Sequence, residues 1–259
     1  MSKPLHLSIE GRTAILTMNN PPANTWTPDS LYELRNIVQG LNQRADIIAL
    51  IIKSDSDKFF CAGADLKRFD GVDAAEARHF AEAFGAAFET LSDFRGLSIA
   101  AINGYAMGGG LEVALACDLR VAEEQAVMAL PEASVGLLPC AGGTQNLTML
   151  VGEAWTKRMI LCGEKVTAEK ALSIGLVEEV VVRGESFQAA QVLANRAAKQ
   201  SPDALRVCKQ LIQMRRSRSQ RDILPLEREC FIDLFAGSNQ QEGVQAFLEK
   251  RQPLWTFEE

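Results

Sequence analysis

The chain has 259 residues, 47% hydrophobic and 23% charged, which excludes collagenous, low-complexity and intrinsically disordered proteins. Its 33 acidic residues against 27 Lys and Arg leave a formal charge of −6, so general nucleic-acid binding, which rewards a basic face, is not expected. No apolar run approaches the ~18 residues of a membrane span. Residues 1–6 lack the apolar stretch of a secretory signal, so a cytoplasmic protein is expected.

Residues 5–10 alternate apolar and polar, Glu10-Gly11 turns the chain, and 13–18 alternate again, predicting a hairpin. Thr27-Pro28 predicts a helix start, with Thr27 as N-cap and Pro28 at the first helical position. Leu31, Leu34, Val38 and Leu41 then form an apolar stripe at helical spacing. The run over 47–53 predicts a buried strand. A loop over 57–63 leads into a helical stretch ending near Arg95. Residues 98–103 predict a strand, 104–110 a Gly-rich loop, 111–117 a short apolar helix, and 118–121 and 126–129 further strands. Past Gly142-Gly143, helices are predicted over 145–150, 154–161 and 168–172, and a last strand over 177–182. From 186 to 251 helix follows helix. The pattern is an α/β core followed, with no Gly/Ser/Pro linker, by an all-helical part that should pack on its own chain or on another subunit.

The six cysteines, Cys61, Cys117, Cys140, Cys162, Cys208 and Cys230, form no CxxC pair and read as reduced core residues. His6 and His79 are the only histidines, too few for a multi-His metal site, and no GxSxG elbow is present. No metal or redox cofactor is expected.

Two glycine-containing loops stand out, 59–67 and 103–112. Each follows a predicted strand and precedes a helix, where free backbone N–H groups favour negative charge. Neither is a Walker A or GxGxxG loop. Facing one point, they can supply one oxyanion donor each; equally, their glycines can serve only tight strand–helix packing. Glu112 lies in a helix whose other members, Leu111, Val113, Ala114, Leu115 and Ala116, are apolar. An unpaired buried carboxylate is costly, which points Glu112 toward function. Glu132 is likewise the one acid between Leu130-Pro131 and Ala133 through Leu138. Two converging carboxylates can hold a water and move protons; convergence itself is not legible in the sequence.

Cys61-Ala62-Gly63-Ala64-Asp65-Leu66-Lys67 resembles the AGAD-[IL]-K signature of the enoyl-CoA hydratase/isomerase (crotonase) superfamily. Ala101-Ile102-Asn103-Gly104-Tyr105-Ala106-Met107-Gly108-Gly109-Gly110-Leu111-Glu112 resembles its second signature, continued by Cys117-Asp118-Leu119-Arg120-Val121-Ala122. Pro131-Glu132 and Pro139-Cys140-Ala141-Gly142-Gly143-Thr144-Gln145 resemble a third block, and residues 242–251 the family's C-terminal helix. The matches run in order along nearly the whole chain.

The resemblance implies an α/β fold: a crotonase-like spiral of ββα units over 1–185 carrying a CoA-thioester site, and an α-helical region over 186–259 used in trimer contacts. It implies an acyl-CoA thioester substrate, with CoA part of the substrate rather than a cofactor, and a homotrimer or a dimer of trimers. Carried over by position, the N–H groups of Ala64 and Gly109 form the oxyanion hole. Ala62 lies near the adenine, Lys67 near the CoA phosphates, and Lys250 within reach of CoA. Asp65, Leu66 and Cys140 complete the substrate-binding set. Glu112 would activate water and Glu132 would hand a proton to C2. The implied reaction is reversible syn addition of water to trans-2-enoyl-CoA, giving 3-hydroxyacyl-CoA in fatty-acid or related acyl-CoA degradation. The alternative on the same fold is a Δ3,Δ2-enoyl-CoA isomerase; such enzymes commonly keep only the second acid, so the presence of both favours the hydratase.

Two departures from the pattern matter. Cys140 stands where hydratases usually have Gly, either as a packed small residue or as a reactive thiol. The segment around Trp26 lacks the basic residue some members place near CoA, and Trp26 either packs on pantetheine or lies under the first helix. Phe69, Phe80 and Phe84 are candidates for the acyl pocket or for the core. Asp65 reads as an N-cap, His79 as a surface or subunit-contact residue, and Asp118 with Arg120 as a structural pair. The non-enzymatic alternative, an RNA-binding or interaction protein, rests on the basic run from Arg215 to Arg221. That run lacks interleaved aromatics and reads as a solvated helix end.

Overall fold

The N-terminal alternation closes as expected. β1 (Leu5–Glu10) pairs antiparallel with β2 (Thr13–Met18), but past Leu5 β1 is exposed while β2 is buried throughout. β1 is therefore an edge strand and β2 the first core strand. The structure is a computed structural model and describes residues 3–257. α1 (Pro28–Asn42) starts on a reciprocal cap: Ser30 N–H donates to Thr27 Oγ1 at 3.3 Å, and Thr27 N–H donates to Ser30 Oγ at 2.9 Å. Its apolar stripe, Leu31, Leu34, Val38 and Leu41, is buried. β3 (Ala49–Ser54) starts later than the apolar run suggests, because Ile47 N–H is tied back to Arg44 O in a turn.

The central chain repeats one unit. β3 is followed by β4 (Phe59–Cys61) and α2 (Ala74–Ser92), with a 3₁₀ turn at Leu66–Arg68 between them. Next come β5 (Leu97–Ile102), β6 (Tyr105–Met107) and α3 (Gly109–Ala116). The third unit is β7 (Leu119–Glu123), β8 (Val127–Ala129), a 3₁₀ turn at Glu132–Val135, and α4 (Gly143–Leu161). β9 (Val166–Thr167), α5 (Ala168–Ser173) and β10 (Glu179–Val181) close the core. In each unit the first strand joins a six-stranded sheet of order β1-β2-β3-β5-β7-β10, and the second joins a four-stranded sheet, β4-β6-β8-β9. All pairings are parallel except β1–β2 and β8–β9. This is a spiral of ββα units.

The expected loop over 57–63 thus contains β4, and the Gly-rich loop over 104–110 contains β6. Both are three-residue strands, too short to display a period. The two helices expected over 145–150 and 154–161 are the halves of α4, broken at Gly152, where φ is 74°. Four helices follow: α6 (Ser186–Ala197), α7 (Pro202–Met214), α8 (Gln220–Asp233) and α9 (Ser238–Leu248). α6 covers the face of the large sheet formed by Ala49, Ile51, Ile99, Ala101 and Val121. The basic run lies at the exposed turn between α7 and α8. Among the described residues no helix is long and apolar enough to cross a membrane.

Two side-chain expectations change. Of the cysteines only Cys61 and Cys117 are buried; Cys140, Cys162 and Cys208 are exposed, because they lie in loops or on outward helix faces. Asp118 and Arg120 are not ion partners. Asp118 precedes β7 and its carboxylate turns to the N–H of Ser98 and to Lys209 Nζ, 2.7 Å away. Arg120 points inward, pairs with Glu178, and donates to Leu176 O and Cys117 O, each at 2.9 Å. Lys209 also donates to Phe94 O and Gly96 O, which ties α7 to the core. Arg120→Met should cost about 1–3 kcal/mol of unfolding free energy in urea, because it leaves the buried carbonyls of Leu176 and Cys117 without their donor. A loss below 1 kcal/mol would mean that water replaces the guanidinium.

Candidate functional site

β4 ends at Cys61, and the chain must turn before Leu66. The turn is held by Trp26. Its N–H donates to Gly63 O at 2.8 Å, and Asp65 N–H donates to Trp26 O at 3.2 Å. These bonds fix the backbone on both sides of Ala64 and leave the Ala64 N–H without an acceptor among the described residues. The Trp26 ring is buried edge-on to Phe88, and its Nε1 donates to Gly109 O at 3.3 Å. Trp26 is therefore a core residue that joins the two loops rather than a ligand contact. Asp65 caps the 3₁₀ turn, accepting from Lys67 N–H, as its position suggested.

The second loop enters α3 through Gly108, whose φ of 54° and ψ of −127° few L-residues adopt. Gly108 O takes the N–H groups of Leu111 and Glu112, and the N–H of Gly109, the first helical residue, has no acceptor among the described residues. The loops touch: a Cβ placed on Gly63 would lie 3.2 Å from Gly109 N, and one placed on Gly110 would lie 2.0 Å from Cys61 O. Without a Cβ at Gly110, α3 can rest directly on the end of β4. Ala64 and Gly109, which carry the two unpaired N–H groups, both line a cavity of about 640 Å³.

Glu112 lies one turn into α3, which is buried at every position; the side chain is 2% exposed. Its Oε1 accepts from Ala141 N–H at 2.8 Å and Gly143 N–H at 2.9 Å, at the start of α4. Oε2 has no protein donor among the described residues, and the residue lines the cavity. Burial raises the carboxyl pKa, and the two N–H bonds oppose that rise. Glu132 opens the 3₁₀ turn after β8 and lines the same cavity. Its Oε2 is buried without a partner. Its Oε1 sits against Gly108, where a Cβ would come within 2.7 Å. Burial, and then the charge of Glu112, push the Glu132 pKa up to about 7.

This last shift has a consequence for stability. An unfolded Glu ionises near 4.5, but folded Glu132 holds its proton to about 7. The folded state binds more protons between those values, so this contribution is complete below pH 4.5 and lost as pH rises through 7. Glu132→Gln should remove that slope and stabilise the protein by about 1–2 kcal/mol at pH 8. Urea unfolding of both proteins at pH 5 and pH 8 checks this; an equal difference at both pH values would contradict it.

The cavity brings together Ala62, Ala64, Leu66, Gly109, Glu112, Glu132 and Cys140. Phe69, Phe80 and Phe84 all line it as well, the last two while also buried. Asp65 and Lys67 flank it without lining it, and Lys250 is exposed beyond the end of α9, away from the lining. His79 is exposed beside Tyr32. The Cys140 thiol opens to the cavity, but the surrounding protein and then the charges of Glu112 and Glu132 push it up to about 11. It stays protonated at neutral pH, which disfavours a nucleophilic thiol. Sequence reasoning missed the clamp of Ala141 and Gly143 on Glu112. Backbone N–H donors leave no mark on residue type beyond the small residues around Gly142.

Chemically, the site offers two fixed N–H donors, the positive end of α3, and two carboxylates with raised pKa facing one space. Negative charge developing on an oxygen at Ala64 and Gly109 would be met without reorganisation, and one such donor is worth about 3–4 kcal/mol.

The model of the family described as enoyl-CoA hydratase/isomerase matches residues 8–258. The short-chain-enoyl-CoA hydratase of Clostridium acetobutylicum is 34% identical over 95% of this chain and 94% of its own. The 2,3-dehydroadipyl-CoA hydratase of Escherichia coli is 36% identical over 96% and 97%. Among solved structures, DspI of Pseudomonas aeruginosa is 60% identical, with a TM-score of 0.97 over 98% of this chain and 97% of that one. An enoyl-CoA hydratase from Bacillus anthracis is 33% identical, with a TM-score of 0.95 over 99% of this chain and 100% of that one.

Proposed function

Since the chain belongs to the enoyl-CoA hydratase/isomerase (crotonase) family, we propose that it is an enoyl-CoA hydratase, adding water reversibly to trans-2-enoyl-CoA to give 3-hydroxyacyl-CoA. The observation that carries this reading is the convergence of Glu112 and Glu132 on the cavity lined by Ala64 and Gly109, whose N–H groups have no acceptor among the described residues. In this reading the thioester oxygen accepts from those two donors. Glu112 Oε2 takes a proton from water as its oxygen bonds to C3. The electron pair of the C2–C3 double bond moves toward the thioester, and Glu132 delivers a proton to C2. A Glu132 pKa near 7 suits proton donation around neutrality. The backbone at Ala62, with Leu66 and Lys67, borders the CoA portion. Asp65 positions that turn, and Lys250 reaches the CoA only if the assembly brings α9 near.

The same reading carries a homotrimer, single or paired as a dimer of trimers, built by the helices after residue 186. Its support is the apolar surface on α8 and α9 and between them: Phe231, Ile232, Phe235, Phe247 and Leu248 are exposed, Phe247 at 83%. Light scattering of the purified protein reads the oligomer directly.

The catalytic reading is tested by following the conjugated-thioester absorbance of crotonyl-CoA. Wild type should bleach it, with 3-hydroxybutyryl-CoA as product. Absence of hydration on four-, eight- and twelve-carbon trans-2-enoyl thioesters would overturn the reading. Conversion of a 3-enoyl-CoA to the conjugated isomer without hydration would replace it with the isomerase.

A further inference from the structure

Other parts of the cavity lining are supplied by α2 and by residues 134–138. On α2, Ala77, Phe80, Ala81 and Phe84 recur at three- and four-residue intervals and so share one face. The two phenylalanines close the inner part of that face, while the two alanines leave its outer part low. A second cleft, of about 720 Å³, runs on along α2, and it shares Ala77, Ala81 and Cys140 with the main cavity. Three small side chains are thus common to the lining of both spaces. The charged members of the second cleft, Arg78, Glu82 and Glu89, are all exposed.

Two further observations bear on what occupies this path. Among the residues lining the main cavity there is no Lys, Arg or His, and its only carboxyl side chains are those of Glu112 and Glu132. The main cavity thus offers no cation to a carboxylate on the substrate tail, and in the second cleft Arg78 is outnumbered by Glu82 and Glu89. Val135, Leu137 and Leu138 also line the cavity yet remain exposed, Leu138 at 67%. Large apolar side chains gathered at a cavity mouth mark a surface that an apolar ligand covers.

We propose that the acyl group this site takes is an apolar chain of medium to long length, and that Ala77 and Ala81 set the length accepted by leaving the way into the second cleft open. The proposal rests on the acyl-thioester reading above. It differs from both a short-chain and a dicarboxylic specificity.

The test compares trans-2-enoyl-CoA substrates of four, eight and twelve carbons in wild type, Ala81→Phe and Ala77→Phe. Both alanines are exposed, so a phenyl ring can be carried without entering the core. In wild type, kcat/KM should rise with length by up to about fourfold per methylene while the chain is being buried, equivalent to ~0.8 kcal/mol each. In either Phe variant, the ratio of twelve-carbon to four-carbon kcat/KM should fall at least 30-fold. A general disturbance of the fold would lower both substrates together and leave that ratio alone. A ratio unchanged in both variants, or a wild type that prefers the four-carbon substrate, would overturn the proposal. Calorimetric binding of dodecanoyl-CoA against butyryl-CoA, which cannot be hydrated, separates this proposal from the hydratase reading. Tighter dodecanoyl binding that is lost in Ala81→Phe supports the pocket even if no hydration occurs, and equal binding of the two thioesters refutes it.

Discussion

Glu112→Gln should lower kcat for crotonyl-CoA hydration by about 10³-fold, within the range by which positioned acid–base groups accelerate proton transfer, while leaving the fold intact. Both statements follow from how the carboxylate is held. Oε1 accepts two backbone N–H groups, from Ala141 and Gly143, so it must remain an oxygen. A Gln can place its amide oxygen there and turn its NH₂ to the cavity, where Oε2 stands in the wild type. The start of α4 stays clamped, and only the proton-accepting atom is lost. Because burial disfavours the charged carboxylate, the unfolding midpoint should stay unchanged or rise. The double variant with Glu132→Gln should fall little below the worse single variant, since two groups serving one transition state are not additive. Activity within tenfold of wild type in Glu112→Gln would remove Glu112 from the chemistry.

The two carboxylates were legible in the sequence for the same reason that they are expensive in the structure. Each is the one acid in an apolar stretch, and such an acid either finds partners or has its pKa raised. Glu112 finds the two N–H groups, whereas Glu132 leaves an oxygen unpartnered. The strands of the large sheet and the start of α1 were legible as well, because alternation, β-branched runs and a Thr-Pro cap act within a few residues. Of the small sheet, β8 was legible in the strand expected over 126–129, whereas β4 and β6 were not. β4 and β6 are three residues long, and what makes them strands is the parallel neighbour each finds after a whole unit of chain has intervened. The pairing of Arg120 with Glu178 was hidden for a similar reason: the partners are 58 residues apart. Trp26 illustrates the limit at the site itself. Its residue type suited either a ligand contact or a core position, and only the approach of Gly63 and Gly109 decides between them.

Gly110→Ala should reduce hydration at least 10²-fold, although Gly110 carries no functional group and does not line the cavity. The added methyl would stand 2.0 Å from Cys61 O and 2.6 Å from Cys61 C, both backbone atoms of β4, so neither can swing aside. The helix must lift off the strand instead. α3 carries the Gly109 N–H at its first position and Glu112 one turn later, so both move relative to Ala64, which is held through Trp26 and β4. A shift of about 1 Å in such an arrangement is worth about 10² in rate. Crowding in the core adds a stability loss of about 1–3 kcal/mol. Gly40→Ala in α1 is the matched comparison: nothing lies within 4 Å of the new methyl, and the same change in a helix interior should stabilise by about 0.4–1 kcal/mol. The discriminating measurement is kcat on crotonyl-CoA under conditions where urea titration shows each variant fully folded. Full activity in folded Gly110→Ala would mean that β4 and α3 can part without disturbing the oxyanion donors, and that the contact between the two loops is packing alone.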